Sequence, residues 1–162
     1  MRIHDKLVSL AAGFIFALSA IPSVAQVPVY GSNVSLDQAK KATAAAEAEA
    51  KKIGIPMAIA IVDNAGQLVT FVRQENTQTG SILVAQDKAV SSAMFRRSTR
   101  VFQDAVAGGG AGLRALGLRN ANVVEGGFPL TVDGKIIGGI GVSGGTVDQD
   151  AAVAKVGLEA LK

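Results

Sequence analysis

The chain has 162 residues, a formal net charge of +3, no cysteine, no tryptophan and a single histidine, His4. So small a charge excess, without a basic stripe, gives no reason to expect nucleic acid as a partner. With His4 confined to an N-terminal leader, the mature protein lacks the Ser-His-Asp and Cys-His arrangements, the usual zinc sites and the commonest haem ligands.

Residues 1–25 read as that leader. Arg2, His4 and Lys6 form a basic start, residues 7–20 are apolar, and Ser23-Val24-Ala25 is a small-x-small cleavage site before Gln26. The apolar stretch is shorter than a membrane span and no later stretch is long enough, so no membrane contact is expected after cleavage. The expected location is periplasmic or secreted. Cleavage leaves residues 26–162 as one domain of 137 residues (162 less 25), long enough for a single core. Losing Arg2, Lys6 and Asp5 leaves 14 basic against 12 acidic residues, a net +2. The absence of cysteine means that an oxidising compartment is tolerated but not exploited.

Residues 26–33 carry Pro28, Tyr30 and Gly31 without periodicity and predict a flexible, extended lead-in. Ser35 with Gln38 is a capping box, with Val34 as its staple. From there Leu36, Ala39, Thr43, Ala46, Ala50 and Ile53 recur at helical spacing until Gly54 and Pro56 end the helix. Glu47 and Lys51 make a favourable i,i+4 pair, and Glu47 with Glu49 reads as a solvated face rather than a metal site. Residues 57–62 form a short apolar run suited to a strand covered on both faces, and Asp63-Asn64-Ala65-Gly66 turns it into a partner strand over 67–73.

A second helix is predicted from Ser81 or Ile82 to about Arg97, with Ala85, Ala89 and Ala93 small enough for close packing on a sheet. Lys88 shares a face of it with Ser81 and Ser92. A short amphipathic helix over 98–107 ends at Gly108-Gly109-Gly110, and residues 112–120 make a connecting turn. Val123 and Val124 are expected to begin the sheet again. Strands over 128–132 and 135–142 pair across Asp133-Gly134, and Thr146 with Gln149 caps a final helix whose stripe is Val153, Val156 and Ala160. The order of elements indicates an α+β fold with an antiparallel sheet flanked by helices. Interior glycines weaken strands, so the glycine density over 123–148 signals a bulge, tight packing or a ligand close to the backbone.

Several residues are candidates for a site. Arg73 ends a strand beside a polar loop, where its guanidinium forks onto a carboxylate or pairs with Asp63 or Glu75. Lys88 either serves a site or snorkels to the surface. Ser143-Gly144-Gly145 offers backbone N–H groups to an anion at a helix start, or packs closely on a neighbour, with Asp148 complementing the helix dipole. Glu125 and Phe128 flank Gly126-Gly127 and either line a pocket mouth or are a surface acid and a core ring. If the protein is an enzyme on a small organic acid, Arg73 holds the carboxylate and Lys88 or Glu125 is the acid-base group. The third reading is a non-catalytic accessory protein whose small residues permit close subunit contacts.

Three motifs carry a resemblance. They are A-I-V-D-x-x-G-x-L-x-x-F-x-R at 60–73, Lys88-Ala89, and G-G-F-P-L-x-x-D-G-K-I-I-G-G-I-G-V-S-G-G at 126–145. Together they resemble the GlcG/HbpS-like family, whose domains also occur fused to PduO-type cobalamin adenosyltransferases. The resemblance covers nearly all of the mature chain. It implies a profilin-like α+β fold, a homo-oligomer that is often an octamer, and a haem cofactor that some members bind or degrade. Arg73 would then meet a propionate and Phe128 the flat ring. The chain departs from the pattern where Gln74-Glu75-Asn76 replaces a D-G-A loop, and in having no mature histidine. An iron ligand would have to be Tyr30, Met57, Met94, a hydroxyl or a lysine, or else haem is held mainly through its propionates and apolar contact with weak or no axial ligation.

Overall fold

A computed structural model describes residues 27–162. The predicted leader and its cleavage site lie outside the described residues. Four strands form one antiparallel sheet in the order β2-β1-β4-β3, with β1 at Ala58–Asp63, β2 at Leu68–Arg73, β3 at Gly127–Val132 and β4 at Lys135–Ser143. Helix α2, Ser81–Phe95, covers one face, while α1, Leu36–Lys52, and α4, Val147–Glu159, pack together on the other. The fold is the α+β arrangement that the order of elements indicated.

The two faces are built from side chains of different size. Towards α1 and α4 the sheet presents Ile59, Ile61, Ile140 and Val142, which with Val153 make the larger core. Towards α2 it presents Ala58, Ala60 and Val62 against Ala85, Ala89 and Ala93. Glycine extends that second seam. A Cβ on Gly141 would lie 2.0 Å from the Ala85 carbonyl oxygen, and one on Gly139 would lie 2.4 Å from that of Ala89. Helix α2 therefore rests almost directly on the backbone of β4, which accounts for much of the glycine in this strand.

Both capping boxes are present, at Ser35 with Gln38 and at Thr146 with Gln149. Gly54 ends α1 with φ +71°, as a C′ glycine does. Asp133 and Gly134, at φ +50° and +72°, make the tight β3-β4 turn. Leu36 and Ile53, at the ends of the expected α1 stripe, are exposed, and the buried face runs instead through Ala39, Ala42, Thr43, Ala46 and Ala50.

Four expectations need correction. Val123 and Val124 do not begin the sheet; β3 starts at Gly127. The preceding backbone donors go to side chains instead of a ladder: Asn122 N–H to Ser91 Oγ, Val124 N–H to Asn122 Oδ1, and Glu125 N–H to Gln103 Oε1. Helix α2 stops at Phe95 because Arg96 is left-handed at φ +55°. Helix α3, Arg100–Ala107, starts two residues later than expected, with Thr99 at its N-cap donating its N–H to Gly127 O, and a 3-10 helix, Gly110–Gly117, follows it.

The lead-in is also fixed. Tyr30 bridges Ile136, continuing the sheet beyond the end of β1, and its hydroxyl donates towards the Ala93 and Met94 carbonyls at 2.9 and 3.0 Å. Arg96 stacks over the same ring at 5.4 Å, so Tyr30 ties the start of the domain to the end of α2.

Candidate functional site

Lys88 does not snorkel. Small neighbours at Ala85 and Ala89 bring α2 so close to the sheet that the side chain is fully buried, with Nζ donating to Val142 O at 3.0 Å and to Asp150 Oδ2 at 2.7 Å. Asp150 lies in the first turn of α4, and its Oδ1 accepts the Gly145 N–H at 2.9 Å. Burial pulls the Lys88 ammonium below its ordinary range, opposed by the hydrogen bond and charge of Asp150. Burial likewise pushes the Asp150 carboxyl up, opposed by Lys88. Both groups are therefore drawn towards neutrality and held charged by each other.

Glu125 joins this cluster from the side. It is buried, its charge favours the Lys88 ammonium, and its Oε2 accepts from Arg100 Nη1 at 2.7 Å. Hydrogen bonds to Glu125 and Asp104 raise the Arg100 guanidinium further above its ordinary range. Gly126 separates the two ion pairs at φ +122°, where a Cβ would lie 2.9 Å from Lys88 Nζ. The sequence made Lys88 and Glu125 visible, but not Asp150 or Arg100. Asp150 lies 62 residues from Lys88, and its only local signal is helical spacing from the buried Val153.

The Ser143-Gly144-Gly145 segment is engaged internally. Ser143 Oγ lies 3.0 Å from Ser81 Oγ, a Cβ on Gly144 would meet Pro56 O at 2.4 Å, and Gly145 N–H belongs to Asp150. Asp148, expected to complement the helix dipole, is exposed, and Asp150 is the carboxylate turned inward. Phe128 lies on the α4 side of the sheet, packed against the larger core, with Lys155 Nζ 5.5 Å from its ring centre.

Arg73 stands apart from all of these. It ends β2 opposite Ala58, which in turn faces Ser143, so Arg73 and Ser143 share one row two strands apart. Among the described residues it makes no ion pair with Asp63 or Glu75. It is exposed and lines a cleft of about 460 Å³ between the end of α1 and the end of β2. Ile55, Pro56 and Val72 give that cleft its apolar surface. The Gln74 side chain fixes one wall by accepting from Met57 N–H at 2.9 Å and donating to Glu47 O at 3.3 Å. Lys88, Glu125 and Phe128 do not line it. The candidates thus divide between a closed ionic cluster under α2 and an open cleft beside α1.

Residues 34–159 match the family described as haem degrading protein HbpS-like. The chain belongs to the HbpS-like family. It is 35% identical over 110 residues to Protein GlcG of Escherichia coli K12, covering 68% of this chain and 81% of that one. The crystal structure of a double-mutant HbpS from Streptomyces reticuli superposes with a TM-score of 0.75 at 25% identity, over 94% of this chain and 99% of its own. A PduOC:haem complex superposes with a TM-score of 0.73 at 29% identity, over 80% and 96%.

The donor set of this HbpS-like chain fits only part of a haem. The described residues contain no His or Cys, and no cluster of three or more His, Cys, Asp or Glu residues suited to a metal ion is found among them. Tyr30 Oη is occupied with α2 carbonyls, Met57 is fully buried, and Met94 Sδ lies 3.6 Å from Asn120 Nδ2. The apolar cleft with Arg73 suits the organic part of the group, its ring face and propionates.

Proposed function

We propose that the protein is an exported, homo-oligomeric haem-binding protein of the HbpS-like type. The observation that carries this reading is the family match over residues 34–159, joined to a cleft that pairs an apolar surface with the Arg73 cation, which has no ion-pair partner among the described residues. The PduOC:haem complex, similar along most of its length, supports haem as the ligand. The leader supports export, and expression of the full chain in a bacterium should yield a product whose mass begins at Gln26. Against an acid-base enzyme, Lys88 has no exposed surface and Glu125 is committed to Arg100.

Titration of the mature protein with hemin tests the reading. A Soret shift that saturates at a fixed stoichiometry is expected; an unshifted band at all ratios would overturn it. The family description also extends to haem degradation. Decay of the Soret band in aerated, reduced samples is the expected sign, and a band that persists as long as in free hemin removes that part.

A further inference from the structure

Resting on the haem reading, we infer that the α1-β2 cleft recognises the carboxylate and apolar face of a tetrapyrrole and is indifferent to its iron. The cleft walls contain no imidazole, thiolate, thioether or phenol, so the stronger iron donors are missing where the apolar surface is. Of the charges around it, Lys51 and Glu47 neutralise each other at 2.8 Å. Arg73 and Glu75 remain, and of the two only Arg73 attracts an anion, with a planar fork that matches a carboxylate in two parallel hydrogen bonds. A volume of about 460 Å³ lies within the usual range for small-molecule sites, and the cleft opens to solvent.

This division of labour fits the rest of the molecule. The buried charges Lys88, Asp150 and Glu125 are closed off from iron beneath α2 and α3. Glu75 is the one cleft carboxylate without an ion-pair partner among the described residues, and so the single hard donor that could contest the inference.

Three probes separate the outcomes: hemin, metal-free protoporphyrin IX and protoporphyrin dimethyl ester, each titrated by absorbance and fluorescence. Hemin and protoporphyrin IX should bind within about threefold of each other, and the ester about tenfold more weakly, since it offers no charged oxygen to the guanidinium. Arg73→Ala should weaken both acids by about tenfold and leave the ester unchanged, while Arg73→Lys recovers part of the loss. Because Arg73 is exposed, an unchanged melting temperature would confirm that the variants fold. Hemin binding that survives Arg73→Ala overturns the inference and leaves the haem reading intact. So does hemin binding without protoporphyrin binding, above all if Glu75→Gln abolishes it. Failure of the wild-type protein to bind either acid overturns both.

Discussion

Removing the Lys88 ammonium strands a carboxylate. In Lys88→Met, Asp150 keeps its Gly145 N–H but loses the Lys88 cation in a buried site, and the expected cost is about 3–5 kcal/mol in urea denaturation. Adding Asp150→Asn should recover most of it, because the amide oxygen still accepts from Gly145 while no unpaired charge is left at that position. A double variant as unstable as the single would show that the pair contributes far more than its desolvation cost. At this scale the sequence revealed half of each interaction. Lys88 stood out because it sits among alanines, and Glu125 because it precedes paired glycines. Their partners, Asp150 and Arg100, come from other elements, and nothing local to Lys88 or Glu125 points to them.

The seam between α2 and β4 is where the elements are least tolerant. Gly141→Ala places a methyl group on the Ala85 carbonyl, so α2 must lift or β4 must bend, at an expected cost of about 1–3 kcal/mol. Gly134→Ala is the informative contrast. Nothing lies within 4 Å of that position, and its φ of +72° limits the cost to the backbone term of about 1 kcal/mol. Equal losses in the two variants would refute the close-packing account. Capping boxes, the Gly54 stop and the Asp133-Gly134 turn were legible because their chemistry is local. The Val123-Val124 strand was misread because β-branched residues favour strands, whereas here Ser91, Asn122 and Gln103 take the backbone bonds.

For the whole molecule, the α+β architecture followed from element order and the Gly-rich motif, since each periodic segment agreed with the same layered arrangement. The surface was harder to read. Val101 on α3 and Leu113, Leu116 and Leu118 in and beside the adjoining 3-10 helix are all substantially exposed. Such a concentration of apolar side chains on neighbouring elements suits contact between subunits. Light scattering of the mature protein should give an integral multiple of the chain mass, and Leu113→Glu with Leu116→Glu should shift it downward. A monomeric mass for the unaltered protein at micromolar concentration would remove the oligomer from the proposal.

The sealed position of Lys88 gives the protein a built-in clock for its own opening. An amine-directed acylating reagent reaches an exposed lysine such as Lys51 or Lys52 at once, whereas Lys88 reacts only after the packing of α2, α4 and Gly126 around it opens and the ammonium loses its proton. The rate of modification at that one amine therefore reports how often the cover over Lys88 opens, at native conditions and without denaturant.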